Sequence, residues 1–228
     1  MLVWMKADQE AEMCGRFTLT VRAEEVRQVL QLEQLPENWQ PRYNIAPTQQ
    51  IAAVLASQPN ALTWLRWGLV PGWSRREAQQ PLLINARAET LTQKPAFRAA
   101  FAQRRCLILA DGFYEWQKQS GGRRAQPYWF QRRGGGLFAF AGVWETTGEE
   151  MRTAAIVTCP ANACVAAVHE RMPVMLDFPK AWTWLSVADE QTLRDLLVPY
   201  PAEDLQAVAV GLRVNDAQHD ALDCLMPV

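Results

Sequence analysis

The stretch CLILADGFYEWQKQ, residues 106–119, is a long run of strand-forming residues interrupted by the step Asp111-Gly112. An Asp-Gly step is typical of turns, so we expect the strand to bend there. Glu115 stands among aromatic residues in the second half of the run. A carboxylate in an otherwise apolar strand either faces solvent or has its pKa raised by desolvation, the state that a general acid needs near neutral pH. The strand alone leaves both interpretations open.

Strand and helix patterns continue on both sides of this stretch. We expect strands over residues 51–57, 62–70, 126–133, 136–145, 152–159 and 205–215, the first two forming a hairpin around the turn-prone residues 58–61. We expect helices over residues 21–34, 94–105, 161–170, 182–186 and 189–199. No repeat or linker divides the chain. The sequence predicts one α+β domain over residues 13–228, with a curled, barrel-like, mostly antiparallel sheet and short flanking helices.

Composition narrows the class of protein. The 228 residues are 49% hydrophobic and 10% aromatic, enough for a core, and their formal net charge is −1. That charge gives no overall attraction to nucleic acid, so nucleic-acid binding needs local basic contacts. No apolar run approaches the roughly 20 residues of a membrane-spanning helix, and no secretory signal is recognisable. Five cysteines without a CxxC pair fit a reducing cytosol, so we expect a cytoplasmic protein.

The N-terminal segment raises a question about Cys14. Met13 followed by Cys14 has the form of a translation start, yet twelve residues precede it. A cysteine at a mature N-terminus carries an α-amine, which adds to an aldehyde to give an imine, and a thiol, which then closes a five-membered ring. Both groups have ordinary pKa values of about 8 to 8.5, so a useful fraction of each is reactive near neutral pH. An internal cysteine cannot close this ring, and the alternative is an incidental cysteine near a frayed terminus.

Two histidines limit the choice of an imidazole catalyst. His169, at the end of the helix expected over residues 161–170, is the better candidate, and its alternative role is a cation at a helix C-terminus. Cys159, Cys164 and His169 are evenly spaced. Residues five apart on a helix point in different directions, however, so we expect no metal site.

Two further stretches carry binding chemistry. In LINARAET, Asn85, Arg87 and Glu89 alternate and share one face if the chain is extended. An amide beside a guanidinium suits a phosphate or a sugar oxygen, and the alternative is a solvated strand edge. In RWGLVPGWS, Trp67 and Trp73 belong either to the core or to a platform on which bases stack.

Seven motifs in order resemble the SOS-response-associated peptidase (SRAP) family. They are MCGRF at 13–17, RYNIAPTQ at 42–49, WGLVPGW at 67–73, INARAET at 84–90, ADGFYEW at 110–116, HERMPV at 169–174 and VN at 214–215. The resemblance implies a protein that shields abasic sites in single-stranded DNA through a covalent link. The reactive residue would be Cys14, whose product with the ring-opened sugar aldehyde is a thiazolidine.

The resemblance also implies roles for single residues around Cys14. Asn85 would orient the amine or the sugar, and Glu115 would shuttle protons during imine formation and ring closure. His169 would assist opening of the deoxyribose ring and slow reversal of the link. We therefore expect a DNA-crosslinking, lyase-type activity that requires no cofactor and no metal.

The resemblance implies that seven further residues would contact the DNA, six from these motifs and one, Thr158, from the end of the IVT strand at 156–158. The arginines would bind phosphates, and most of the others would shape the path of the strand and exclude paired DNA at one end. They are Arg16, Arg87, Arg171, Asn44, Pro47, Trp73 and Thr158. The expected partner is single-stranded DNA containing abasic sites, bound by a monomer that associates with the nucleoid and not with a membrane.

The leader MLVWMKADQEAE, residues 1–12, departs from the family pattern, because Cys14 has no free α-amine while the leader is present. Either translation begins at Met13, which we favour, or the leader is removed after translation. Self-cleavage before Cys14 would agree with the peptidase label of the family. Two rival functions stay open: a cysteine-type peptidase using Cys14, His169 and Glu115, and a non-covalent binding module for single-stranded nucleic acid.

Overall fold

A computed structural model of the chain describes residues 15–32, 35, 39–74, 82–122, 124–147 and 151–228. The strands in these ranges are β1 (Arg16–Leu19), β2 (Arg42–Ile45), β3 (Gln50–Leu55), β4 (Gln58–Trp67), β5 (Asn85–Arg87), β6 (Arg105–Ala110), β7 (Gly112–Gln117), β8 (Gln126–Arg132), β9 (Phe138–Thr147), β10 (Met151–Pro160), β11 (Arg171–Pro173), β12 (Met175–Leu176) and β13 (Leu205–Ala209). The α-helices are α1 (Ala23–Leu30), α2 (Pro95–Gln103), α3 (Ala163–Ala166), α4 (Phe178–Ser186) and α5 (Glu190–Asp195).

The strands form two sheets. The smaller sheet has the order β13-β8-β7-β1-β2, and the larger has the order β11-β10-β4-β3-β6-β9-β12, with β5 beside β10. Pairing is antiparallel except where β10 meets β4 and β5. Because β10 also pairs with β9, the pairings from β4 through β3, β6 and β9 to β10 run in a circuit, and the larger sheet curls back on itself. The expected α+β class with a curled, mostly antiparallel sheet is confirmed, with a second sheet added.

The bend expected at Asp111-Gly112 is where the chain passes from one sheet to the other. All six residues of β6 are buried in the larger sheet, and β7 lies in the smaller one. The Asp111 carboxylate accepts hydrogen bonds from the Thr18 hydroxyl (2.5 Å), from the amide and hydroxyl of Thr20 (2.5 and 2.6 Å) and from the Val21 amide (3.0 Å). A Cβ at position 112 would lie 2.2 Å from the Trp129 indole nitrogen, so the close approach requires glycine.

The main core lies between the two sheets. Phe17 of β1 and Phe113 of β7 meet Phe140 of β9, with ring centroids 5.6 and 6.3 Å apart. Since side chains alternate along a strand, the neighbours of Phe113 face the other way. Tyr114 accordingly belongs to a second apolar cluster with Val210, Val214 and Cys224 from the C-terminal segment. The outer face of the smaller sheet is therefore covered by the end of the chain.

Arg105, the first residue of β6, joins two helix ends. Its guanidinium donates to the carbonyl oxygens of Phe101 and Ala102 at the end of α2, and to those of Trp184 and Val187 at the end of α4, at 2.6 to 3.1 Å. These are carbonyls that a helix leaves without an internal partner. In the ranges given above, each helix falls short of the length and apolar character needed to cross a bilayer.

Some of the boundaries expected for the strands and helices are wrong. The hairpin turn lies at residues 56–57, and residues 58–61 are already part of β4. The helix expected over 21–34 ends at Leu30, because Gln31 takes the left-handed conformation with φ of 52°. The last strand ends at Ala209, and Leu212–Asn215 form a 3-10 helix. The short strands β1 and β2 were not expected from the sequence.

Candidate nucleic-acid and catalytic site

Glu115 is buried at the end of β7, with 3% of its surface exposed. It pairs with Tyr128 of β8 and points to the same side of the sheet as Phe113, toward the main core. Of the two interpretations left open by the sequence, the solvent-facing one is therefore excluded. The register of β1 against β7 matches Arg16 with Tyr114. One more step of this register sets Glu115 opposite Gly15, the residue after Cys14.

Cys14 and the leader lie outside the described residues. Gly15 begins the described chain, directly before β1. β1 lies between β7 and β2 in the middle of the smaller sheet. Gly15 thus lies in the smaller sheet's register beside the buried carboxyl group of Glu115.

Asn85 and Arg87 lie on β5, which pairs in parallel with β10 so that Asn85 is matched with Ile156 and Arg87 with Thr158. Asn85 is half-buried and Arg87 is exposed, while Ala86 between them is buried. The alternation expected to continue to Glu89 stops at Arg87. Residues Ala88–Thr90 form a 3-10 turn that carries Glu89 out of the strand.

His169 lies three residues beyond α3, in the turn that leads into β11. Its backbone amide donates to the carbonyl oxygen of Val165 (2.9 Å), and its ring nitrogen Nδ1 accepts from the Arg171 amide (3.1 Å). An Nδ1 that accepts a hydrogen bond assigns the proton of the neutral ring to Nε2. The half-buried imidazole therefore has Nε2 as its hydrogen-bond donor.

A cavity of about 850 Å³ brings several of these groups together. Asn85, Arg87 and His169 line it from β5 and from the turn after α3. Trp116 and Gln117, the two residues after Glu115, line it from β7. A molecule bound there would meet two residues on one face of β5, one imidazole and the end of β7. The cavity is large enough for a sugar with its flanking phosphates.

Sequence reasoning missed part of this lining. The Gln117 side-chain amide donates to the Ala167 carbonyl oxygen (2.9 Å) and so links β7 to the turn that carries His169. Lys94 and Lys118 add two positive charges to that of Arg87, against the carboxylate of Glu170. Gln117 lies two residues after Glu115 on the same strand, and this spacing could have indicated that it shares the site. Nothing in the sequence indicates that Lys94 lies near Lys118.

Arg171 is buried at 9% exposure and directly follows Glu170, a residue of the cavity lining. Its guanidinium forms a bidentate pair with Glu89, with Nη1 to Oε1 at 2.6 Å and Nη2 to Oε2 at 2.9 Å. Nη2 also donates to the carbonyl oxygen of Thr158 (2.8 Å) and to its hydroxyl (3.3 Å). Thr158, fully buried on β10, therefore holds Arg171 in place.

Arg16 and Asn44 both bind the C-terminal segment. Arg16 donates to Asn44 Oδ1 (2.9 Å) and to the Val214 carbonyl oxygen (2.5 Å), and burial lowers the pKa of its guanidinium. Asn44 is fully buried, and its amide nitrogen donates to the carbonyl oxygens of Val214, Asp216 and His219 at 2.8 to 3.2 Å. These bonds give both side chains a structural role in holding the end of the chain against β1 and β2.

The two tryptophans of WGLVPGW divide between core and surface. Trp67 has no exposed surface, whereas Trp73 is 66% exposed in the loop that follows Pro71. Pro47 is half-buried in the loop after β2. Trp73 is therefore available for stacking, as the sequence left open, and Trp67 is a core residue.

One group of side chains could offer metal ligands within the described residues. Atoms of His219, Asp223 and Cys224 lie within 4.8 Å of one another. His219 Nε2 already pairs with Asp223 at 2.5 Å, and Asp223 also pairs with Arg213 at 3.2 Å. Burial raises the pKa of the Cys224 thiol, which opposes the thiolate that a metal requires. This group is better described as a polar contact that fastens the C-terminal turn.

A model of the SOS response associated peptidase (SRAP) family matches residues 13–217. The chain belongs to this family. The motif resemblance found in the sequence is thus confirmed, and the matched region begins at Met13.

Relatives of this SRAP chain cover nearly all of its length. It is 38% identical over 222 residues to the abasic site processing protein YoaM of Bacillus subtilis, a match covering 93% of this chain and 97% of the relative. It is 30% identical over 264 residues to the abasic site processing protein HMCES of Gallus gallus, covering 95% and 78%. Both relatives are named for processing abasic sites.

Solved structures share the fold of this SRAP chain. A crystal structure of a Bacteroides thetaiotaomicron protein matches with a TM-score of 0.83 at 22% identity, covering 94% of this chain and all of the other. One from Bordetella bronchiseptica matches with a TM-score of 0.74 at 29% identity, covering 87% and 100%. The two-sheet architecture is thus shared by chains of low sequence identity.

Proposed function

We propose that this protein senses and shields abasic sites in single-stranded DNA by a covalent link through Cys14. The observation that carries the proposal is the cavity lined by β5, by the turn after α3 and by the end of β7. Asn85, His169 and the end of β7 after Glu115 surround one space, and Gly15, the neighbour of Cys14, lies opposite Glu115 in the β1–β7 register. The names of the relatives supply the substrate class.

The proposed reaction joins the α-amine and the thiol of Cys14 to one aldehyde carbon. The amine adds to the C1 aldehyde of the ring-opened deoxyribose, and loss of one water gives an imine. The thiol sulfur then attacks the imine carbon, and its proton is transferred to the nitrogen, which closes the thiazolidine ring. The overall change is one S–C and one N–C bond formed and one water released, without an oxidant or reductant.

Glu115 and His169 are the proposed proton-transfer groups. Glu115, as a buried carboxyl group beside the start of β1, would take the proton from the attacking amine and protonate the departing hydroxyl. His169, with the proton on Nε2, would act on the sugar oxygen during opening of the deoxyribose ring. Asn85 would orient the amine or the sugar from β5.

We propose that the DNA strand follows the basic side of the cavity. Arg87, Lys94 and Lys118 line the cavity and provide positive charge there, and buried Arg171 directly follows the lining residue Glu170. Trp73 is exposed for contact with bases, as Pro47 is in part. Affinity should then fall with salt, by a slope set by the few phosphates engaged.

The chemistry requires a free α-amine on Cys14. We propose that the active chain begins at Cys14, after initiation at Met13 or after removal of residues 1–12, to which self-cleavage could contribute. The match of the family model from residue 13 supports this boundary. We further propose that the protein acts as a monomer on DNA in the cytoplasm, without a metal or cofactor.

Crosslinking tests the proposal directly. A chain beginning at Met13, mixed with a single-stranded oligonucleotide carrying one abasic site, should give a complex that survives denaturing electrophoresis. Cys14→Ser should lose its stable form, whereas Cys164→Ser, a change at a half-buried thiol elsewhere in the chain, should crosslink normally. An oligonucleotide whose abasic sugar has been reduced to the alcohol should not react, because it has no aldehyde.

Three outcomes would contradict parts of the proposal. Equal crosslinking by a chain whose residues 1–12 are verified as intact by mass would exclude the α-amine mechanism. Binding unaffected by Cys14→Ala, with no denaturant-resistant complex, would favour a non-covalent module. Glu115→Gln and His169→Ala should each slow the reaction about 100-fold or more, and unchanged rates would remove their roles as proton-transfer groups.

A further inference from the structure

The two terminal nitrogens of Arg171 are already engaged in the free protein. Both terminal nitrogens donate to Glu89, and one of them also donates to Thr158. Nε is enclosed by protein and has no hydrogen-bond partner among the described residues. The side chain is only 11% exposed. An approaching phosphate thus meets a guanidinium whose outward face is covered by a carboxylate.

Glu89 differs from its partner in exposure. Its side chain is 46% exposed, on the 3-10 turn that directly follows Arg87 and β5. The hydrogen bond from Arg171 holds the pKa of Glu89 below its usual range, so this carboxyl group is charged at neutral pH. Glu89 can turn toward water without opening the core, whereas Arg171 cannot leave.

A carboxylate and a phosphate use the same geometry with arginine. Each presents two oxygens to the two parallel N–H bonds of the guanidinium fork. A phosphate cannot take that position while Glu89 occupies it, and two anions side by side repel each other. Thr158 binds Arg171 from the other side through its carbonyl and hydroxyl oxygens, so the guanidinium stays in position when Glu89 moves.

We propose that Glu89 occupies the phosphate position of Arg171 in the free protein and is displaced by a backbone phosphate of bound DNA. Glu89 is then an internal competitor that weakens binding to undamaged single-stranded DNA. The protein then stays on DNA because of the covalent link and not because of its non-covalent affinity. This inference rests on the proposed function in taking DNA as the incoming anion.

The test measures binding of an undamaged single-stranded oligonucleotide, which contains no aldehyde, across a range of salt concentrations. In a chain beginning at Met13, Glu89→Gln should raise affinity about three- to tenfold at low salt, because one competing charge is removed. It should also steepen the slope of log K against log salt by about 0.7, the value for one additional phosphate on single-stranded DNA. Glu89→Ala should act in the same direction.

Glu170→Gln is the matched control, since Glu170 is exposed, lines the cavity and adjoins Arg171 in sequence. It changes net charge equally but leaves the Arg171 pair intact, so it should leave the slope unchanged. In an Arg171→Gln background, Glu89→Gln should give no gain. Weaker binding by Glu89→Gln would mean that Glu89 positions Arg171 for DNA, and a gain equal to that of Glu170→Gln would mean a general charge effect; either overturns the inference.

Crosslinking to the abasic oligonucleotide separates this inference from the proposed function. Normal crosslinking without the affinity gain overturns the competition by Glu89 alone. An affinity gain without any crosslinking overturns the covalent function alone. Absence of oligonucleotide binding by both the unaltered chain and Glu89→Gln overturns the competition as well.

Discussion

Arg105 and Arg171 are buried to a similar degree, at 7% and 9% exposure, but their partners differ in kind. Arg105 donates to four backbone carbonyl oxygens at the ends of α2 and α4, all fixed parts of the fold. Arg171 shares its guanidinium between fixed Thr158 and half-exposed Glu89. Burial of a charge therefore does not identify a functional site. A partner that can be exchanged for a ligand is the more informative sign.

The largest expected effect is on stability, at the arginine with fixed partners. Arg105→Met should lower the free energy of unfolding by about 3 kcal/mol, because four buried carbonyl oxygens lose their donor. Chemical denaturation monitored by tryptophan fluorescence measures this. Arg104→Met, which removes a partly exposed partner of Glu145, is the control and should cost less than about 1 kcal/mol. Equal losses in the two variants would contradict the structural role given to Arg105.

Asp111 extends the comparison to a buried acid with fixed partners. Asp111→Asn should lower the free energy of unfolding by about 2 kcal/mol, since an amide nitrogen would face donors from Thr20 and Val21. Asp195→Asn, at an exposed position of α5, should have little effect on the same denaturation midpoint. A midpoint shift no larger than that of the control would mean that Asp111 is not what holds β1 at the bend.

Substitution of Arg171 should affect DNA binding more than stability, whereas substitution of Arg105 should affect stability. Arg171→Gln should lower the free energy of unfolding by about 1 kcal/mol, because its partner Glu89 can turn to water. It should weaken binding to single-stranded DNA about tenfold, as expected for the loss of one charged phosphate contact. Arg194→Gln removes an exposed ion pair with Glu190 and is the control for both measurements. Unchanged affinity in Arg171→Gln would place the phosphate contacts elsewhere.

The smallest effect is the pH dependence of the Glu89–Arg171 pair. The pKa of Glu89 is lower in the folded protein than in the unfolded chain, where it is about 4.3. Its stabilising contribution is therefore complete above the unfolded value and is lost as pH falls through the folded value. The stability difference between the unaltered chain and Glu89→Gln should be about 0.5 kcal/mol at pH 6, since solvent screens the pair, and should vanish in acid. If the stability difference persisted in acid, the charge of Glu89 would not be its cause.

The sequence predicted those parts of the fold that depend on local pattern. The apolar runs of β3, β6 and β10 identified the larger sheet, and Asp111-Gly112 indicated its bend. The turn expected at residues 58–61 was wrong because Gln, Pro and Asn favour turns locally, while Gln58 already pairs with Leu55 of β3. The ladder resumes at Leu62 after an irregularity, so the intervening residues belong to β4. The 3-10 helix at Leu212–Asn215 depends on distant donors, Arg16 and Asn44, which no local pattern reveals.

For the site, the sequence motifs indicated which residues to consider, and the structure showed which of them lie close together. The motif singled out Glu115, but the burial of Glu115 follows from which face of β7 meets the core, and the strand alone did not decide that. Arg171 was expected to meet a phosphate, and its pairing with Glu89 joins residues 82 positions apart. Such contacts become visible only when β5 and β11 are brought to opposite edges of the same strand, β10.

The position of β1 has a consequence for the order of events during synthesis. β1 pairs with β7, about a hundred residues downstream, and Arg16 bonds to the carbonyl oxygen of Val214, 198 residues away. Contacts this distant along the chain form late, because the intervening loop must close first. β1 therefore leaves the ribosome well before the segments that fix it in place. At a synthesis rate of about 5 to 20 residues per second, a reactive N-terminus would precede Glu115 by about 5 to 20 s. It would acquire its full reactivity only when the segment around Val214 has docked.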